Sequence, residues 1–263
     1  MFKKIILAGS LLIAAGCTTV PITGRRQLSL VPDSEIMTLS FQEYQKTISQ
    51  SKLSTNASQT AMVKRVGQRI QHAVEEYVAQ TNNTAALAGY EWEFNLIEDK
   101  QVNAWCMPGG KVVVYTGILP ITQDESGLAV VLGHEISHAV AKHGSERMSD
   151  QLVAQYGGAA LQTVTGSNPT MAGNLLMTAV GAGSQLGLLH FSRQQESEAD
   201  HLGLIFMAMA GYNPETAIAF WQRMAAQSQG GTPTLLSDHP ADQQRIADIQ
   251  RLLPEAMKYY KPR

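Results

Sequence analysis

Apolar residues recur at three- and four-residue spacing through most of this chain, a pattern that predicts mainly helical structure. After Pro32 the apolar set is Ile36, Leu39, Phe41 and Tyr44, and a clearer helix over 61–77 carries Met62, Val66, Ile70, Ala73 and Tyr77. His72 falls off that stripe, where a histidine is ordinarily solvated. Between 90 and 116 the period changes to two. Trp92, Phe94 and Leu96 alternate with Glu91, Glu93 and Asn95, which predicts a half-buried strand over 90–97. Short strands over 102–107 and 111–116 flank Pro108-Gly109-Gly110, whose turn chemistry closes them into a hairpin. The helical period then returns from Gln123 to about Met148, opened by Thr122 and Glu125 at capping-box spacing. Its apolar face is Leu128, Val131, Leu132, Ile136, Ala139 and Val140. The stretch 156–189 is rich in Gly, Ala, Ser, Thr and Met and is interrupted at Asn168-Pro169. It predicts two weak helices joined by a mobile link, a lid rather than a membrane span, because Asn174, Ser184 and Gln185 interrupt its apolar run. A helix over 191–209 stops at Gly211, another starts at Asn213-Pro214 with Ile218, Trp221 and Met224, and a last one starts at Pro240.

Composition narrows the classes. With 44% hydrophobic and 16% charged residues the chain can bury a sizeable core, and a net charge of -2 gives no reason to expect nucleic acid as a partner. Two cysteines, Cys17 and Cys106, exclude both a disulfide framework and a cysteine-rich zinc site. Residues 1–16 look like an export signal: Lys3 and Lys4, then an apolar run too short to span a bilayer. The run Ile13-Ala14-Ala15-Gly16-Cys17 resembles a bacterial lipobox, with Ala14 where leucine is usual. It implies cleavage before Cys17 and lipidation of its thiol, each buried methylene of the acyl chains contributing ~0.8 kcal/mol. An ordinary cleaved signal with an incidental cysteine is the alternative. Thr18 after the cysteine favours the outer membrane under enteric-type sorting. The polar stretch 18–30, with Pro21, Gly24 and Arg25-Arg26, reads as a tether, and 31–263 as one domain.

The long predicted helix carries His134-Glu135-Ile136-Ser137-His138, the pattern H-E-x-x-H. Residues four apart lie one turn apart on a helix face, so two imidazoles can hold one zinc ion with the glutamate beside it. Polar side chains on an otherwise apolar face are costly unless paired or coordinated. A metzincin-type third histidine is absent, because Ala141 and Gly144 stand at the required glycine and histidine positions. His143, five residues past His138, is poorly placed for the same ion. Downstream, Ser192-Arg193-Gln194-Gln195-Glu196-Ser197-Glu198-Ala199-Asp200 offers Glu196 and Asp200 on one helical face. Glu196 would complete a His, His, Glu set, and Asp200 would accept the outer N–H of a ligand imidazole. Glu198 points elsewhere. His190 and His201 have no partner at ligand spacing, and Cys106 and Phe220-Trp221 read as core.

These motifs together resemble the zinc metallopeptidase family of HtpX, the CAAX prenyl protease and the Oma-like peptidases, in the soluble, exported branch similar to BepA and LoiP. His134 to His138 match its zinc helix, and Ser192 to Asp200 match its S-R-x-x-E-x-x-A-D motif. The run 103–119 matches its strand and turn, Asp238-His239-Pro240 with Arg245-Ile246 its late signature, and Val20 to Leu28 the start of the Oma-like and BepA-like members. The resemblance implies an α+β, mainly α, gluzincin-type domain with a small sheet beside the zinc helix. It implies one zinc ion on His134, His138 and Glu196, with Glu135 moving the proton of the attacking water. Asp200 is then an outer acid or proton donor. His239 is placed near the metal with two roles open, oxyanion stabilisation or a fourth zinc ligand that holds the enzyme latent. Asn103, Val112 and Val114 are expected at the cleft edge, where an extended substrate adds as a strand. The implied activity is endopeptidase cleavage of misfolded or unassembled proteins of the bacterial cell envelope by an anchored enzyme at the outer membrane facing the periplasm. The alternative is a latent, chaperone-like factor of outer-membrane assembly that binds and rarely cuts.

Overall fold

A computed structural model describes residues 17–20, 22–156, 169–181, 191–227, 234–239 and 243–262. The export signal expected over 1–16 and His190 lie outside the described residues. The elements are β1 (Cys17–Thr19), β2 (Arg26–Leu28), α1 (Asp33–Gln50), α2 (Ala57–Gln80), β3 (Glu93–Ile97), β4 (Ala104–Met107), β5 (Lys111–Tyr115), α3 (Leu119–Thr122), α4 (Glu125–Val140), α5 (His143–Tyr156), α6 (Pro169–Ala179), α7 (Arg193–Met209), α8 (Thr216–Gln227), α9 (Thr234–Asp238) and α10 (Gln243–Ala256). The fold is α+β and mainly α, as expected.

A three-stranded sheet in the order β3-β5-β4 divides the interior into two cores. Phe94, Leu96, Cys106, Val112 and Val114 face the larger one, with α2, α4, α7 and α8. Ile97, Trp105, Met107 and Val113 face the smaller one, with α1, α5 and α6. Because the sheet is covered on both sides, β5 reads as an unbroken run, Val112-Val113-Val114, rather than an alternation. The Pro108-Gly109-Gly110 hairpin forms as expected, antiparallel between β4 and β5, and both glycines take positive φ.

Three expectations are corrected. β5 is the central strand, parallel to β3 on one side and antiparallel to β4 on the other. Val112 and Val114 therefore have no free edge for a substrate, and both side chains are buried in the larger core. The outer strands of this sheet are β3, whose far side carries a single bridge from Leu53 to Ile97, and β4, which packs beside α4. Asn103, just ahead of β4, is buried, its side-chain amide donating to Gly181 O at 3.4 Å. The stretch 17–30 is not a slack tether. β1 pairs antiparallel with β2, Cys17 opposite Leu28, and Val20 is fully buried. The long helix over 123–148 is two helices. Asp124, not Thr122, caps α4, its carboxylate accepting from Gly127 N at 2.8 Å. Thr122 instead ends the single-turn α3. Lys142 adopts φ 59, the left-handed conformation that stops a helix, and α5 starts afresh at His143. Glycine usually marks such a stop, so a lysine gave no warning.

Within the stretch expected to be a lid, α6 packs on α1 and α5, with Ala172, Leu176 and Ala179 fully buried. Residues 157–168 and 182–190 lie outside the described set. Among the described residues no helix is long and apolar enough to cross a membrane.

Candidate active site

The site forms where α4 and α7 cross. Gly133 lies against Gly203: a Cβ on Gly133 would come within 2.8 Å of Gly203 O, and one on Gly203 within 3.0 Å of His134 N. This near contact of backbones brings the first turn of α7 over the face of α4 that carries His134 and His138. Ser192 begins α7 with a full capping box, its hydroxyl accepting from Gln195 N while the Gln195 side chain accepts from Ser192 N. That cap fixes Glu196 in the first turn.

Donor atoms converge from four residues. His134 Nε2 and His138 Nε2 are 3.0 Å apart, and His138 Nε2 is 3.3 Å from Glu196 Oε1. His239, just past α9, brings Nδ1 to 2.7 Å from Glu196 Oε1 and 3.1 Å from His134 Nε2. All four ligand atoms lie within 4.8 Å of one another, and all four residues are buried. Glu135 is buried beside them, its Oε1 3.7 Å from His239 Nε2.

The outer contacts fix which nitrogen carries each proton. His134 Nδ1 donates to Asp200 Oδ1 at 3.0 Å, so its Nε2 is the unprotonated nitrogen. His138 Nδ1 lies 2.8 Å from His143 Nδ1, whose Nε2 donates to Glu198 Oε2 at 2.9 Å. His143 Nδ1 is thus an acceptor, His138 Nδ1 the donor, and His138 Nε2 also unprotonated. Two lone pairs and a carboxylate aimed at one buried point repel unless a cation lies between them. Three carboxylates, Glu135, Glu196 and Asp200, are buried together, and Arg245 pairs with the last two, so negative charge is in excess at the point where a divalent ion would lie. The residues fit a zinc site.

Burial, then the neighbouring Arg245, pushes His134 down to about 4, and burial drives His138 well below its ordinary range, so both stay neutral and able to ligate. Burial raises Glu196 and Asp200, but the positive groups around them prevail, His239 and Arg245 for Glu196 and Arg245 for Asp200, and both carboxyls end below their usual values.

Most sequence expectations converge here. His134, Glu135, His138, Glu196, Asp200 and His239 come together, and Asp200 accepts from His134 Nδ1. His143 stays outside the ligand set. His72 is exposed and His201 pairs with Glu255 at 3.1 Å, and neither is in the ligand set. Cys106 is a buried free thiol. Three neighbours had not been expected at the site. Arg245 grips Asp200 with two bonds, Nε to Oδ2 at 2.9 Å and Nη2 to Oδ1 at 2.7 Å, and reaches Glu196 Oε2 with Nη1 at 2.8 Å. Trp221 is core, as expected, and also lies under the Arg245 guanidinium at 3.5 Å. Phe191 covers the other side, 4.0 Å from the His138 ring and stacked on His239 at 4.8 Å. Arg245 alone had a signal, its place in the late signature.

A helix bearing two histidines and a glutamate, crossed by a second helix that adds a carboxylate, is the plan of a zinc metallopeptidase. Residues 64–253 match the description "Peptidase family M48", and the chain belongs to that family. It is 32% identical over 261 residues to the mitochondrial metalloendopeptidase OMA1 of Schizosaccharomyces pombe, covering 97% of this chain and 72% of the relative. The OMA1 of Saccharomyces cerevisiae is 35% identical over 189 residues, 68% of this chain and 52% of the relative. The beta-barrel assembly-enhancing protease of Yersinia pestis is 33% identical over 167 residues, 60% of this chain and 34% of the relative. The chain thus spans about half the length of the budding-yeast relative and about a third of the assembly-enhancing protease.

Proposed function

We propose that this protein is a zinc-dependent endopeptidase, lipid-anchored through Cys17 in the bacterial cell envelope, that cleaves misfolded or unassembled envelope proteins on the periplasmic side of the outer membrane. The observation that carries the catalytic part is the convergence of the His134, His138 and Glu196 donors beside the buried Glu135 carboxylate. When bound, zinc supplies Lewis acidity, polarising a carbonyl and making water a nucleophile near neutral pH. His134, His138 and Glu196 would hold it, and Asp200 fixes the His134 ring. Glu135 accepts the water's proton at its carboxylate and returns it to the leaving amine. His239 and Arg245 keep Glu196 ionised, and Arg245 keeps Asp200 so. β4, paired on one side and beside α4, takes the part first expected of β5, the edge to which an extended substrate adds. Support for the envelope setting is the lipobox-like run ending at Cys17 and the likeness to an assembly-enhancing protease. Glu135→Gln removes the base and no ligand, so cleavage of a casein-like substrate should vanish while one zinc per chain stays bound. Full activity in that variant refutes the assignment. Cys17→Ser should move the protein from the membrane fraction to the soluble one, and continued sedimentation with membranes refutes the anchor.

One observation favours a second reading. His239 Nδ1 stands among the ligand atoms, 2.7 Å from Glu196 Oε1, where it closes a four-donor set. In that arrangement His239 fills the position a substrate needs, and the protein is latent, a binder of unassembled chains that cuts only when His239 withdraws. His239→Ala separates the readings: a gain in casein cleavage supports latency, and a loss supports a catalytic role for this imidazole.

A further inference from the structure

The N-terminal hairpin reaches the metal site through an unbroken line of side chains. Arg25, between β1 and β2, donates from Nε to Glu198 Oε2 at 2.5 Å. Its Nη1 and Nη2 form a fork on the two Glu146 oxygens at 2.8 and 2.7 Å. Glu198 also accepts from the Thr23 hydroxyl. Glu146 is further held by Gln195 Nε2 at 2.8 Å. One guanidinium thus ties the start of α5 to the start of α7. The three charged side chains are nearly closed to solvent, at 13% for Arg25, 12% for Glu146 and 7% for Glu198. An ion pair this enclosed is held in geometry far better than an exposed one.

Glu198 then orients the buried ring of His143, and His143 orients His138. Glu198 Oε2 accepts from the Nε2–H of His143, which leaves His143 Nδ1 as the acceptor for His138 Nδ1–H. His134 has a carboxylate, Asp200, as its outer partner; His138 has none directly, only this relayed one. The tautomer of His138 is therefore decided two residues away, at Glu198.

We infer that Arg25, acting through Glu198 and His143, is a positioning residue for the ligand His138, holding it with its proton on Nδ1 and its Nε2 lone pair turned to the metal. The N-terminal hairpin is in this sense part of the metal site. The inference rests on the metallopeptidase reading, and its test separates the two.

The test measures the zinc dissociation constant of the purified full chain by competition with a chromophoric chelator. His143→Ala should weaken zinc about 10–100-fold, the usual loss when the outer partner of a ligand histidine is removed. His143→Asn should recover much of it, because its amide oxygen can sit near the lost Nδ1. Arg25→Ala should weaken zinc as well. Combined with His143→Ala it should add almost nothing, since both act through one line of contacts. Arg25→Lys keeps the charge without the fork, serves if the alanine variant does not fold, and should fall between. The nitrogen-15 spectrum of the metal-free chain should show His138 protonated at Nδ1. A wild-type chain that binds no zinc overturns the metallopeptidase reading itself. Wild-type binding with unchanged affinity in the Arg25 variants, even if they melt lower, overturns this inference alone. So do fully additive effects, or His138 protonated at Nε2.

Discussion

At the scale of single residues, the site is governed by where protons sit. Asp200 sets the His134 tautomer and shares a two-bond grip with Arg245. Asp200→Asn keeps the shape but removes the charge that orients the imidazole. It should weaken zinc about 10–100-fold by chelator competition. Glu198 gives a pH signature. Burial raises its pKa, but hydrogen bonds from His143, Thr23 and Arg25 prevail and hold it at about 2. Its unfolded value is ~4.3, so the folded state binds fewer protons between those limits. Its contribution to stability is complete above the higher value and is lost as pH falls toward the lower. In urea melts of the metal-free chain, the gap between wild type and Glu198→Gln should hold constant above pH ~5 and close steadily below it.

At the scale of elements, the crossing of α4 and α7 decides whether a site exists. Two glycines permit it: a Cβ on Gly133 would overlap Gly203 O at 2.8 Å, and one on Gly203 would press on the Gly133–His134 backbone at 3.0 Å. Gly203→Ala should push the helices apart, costing about 1–3 kcal/mol in a urea melt and weakening zinc, because Glu196 rides on the displaced helix. A variant with wild-type zinc affinity would show that the first turn of α7 is placed by its Ser192 cap alone. The break at Lys142 matters at this scale too. A continuous helix would swing His143 away from His138; the left-handed turn brings the two rings to 4.8 Å.

At the scale of the molecule, the metal site joins separate parts of the chain: α4, α7, the end of α9 and, through Arg245, α10. A ligand bound to such a junction stabilises all of it. With zinc at about a thousand times its dissociation constant the gain is about 4 kcal/mol, so chelation should lower Tm by on the order of 10 °C. A melting temperature unmoved by chelator would mean the junction is held without metal. The N-terminal hairpin also changes the geometry of anchoring under the proposed function. A flexible tether over 18–30 would reach ~20 Å, whereas β1 starts at Cys17 itself and would hold the catalytic body against the lipid surface.

The sequence by itself determined the local parts: helix period, strand period, the Pro108-Gly109-Gly110 turn, and the spacing that puts His134 and His138 on one face and Glu196 and Asp200 on another. Those features depend on neighbours within a turn or two, so they are written in consecutive residues. Even the tautomer role of Asp200 follows from helical spacing once two helices are assumed to meet. Tertiary structure alone decided the rest. Sheet order made β5 central and left β4 at the edge, because pairing partners are chosen across the core and not along the strand. It turned an apparent tether into a hairpin, because Val20 and Arg25 find their partners only in the folded body. It put His143 and Glu198, each set aside as a ligand when read along its own helix, into one line that ends on His138. A side chain's chemistry is legible in sequence, but the atom it faces across a packed interior is fixed only when the helices close.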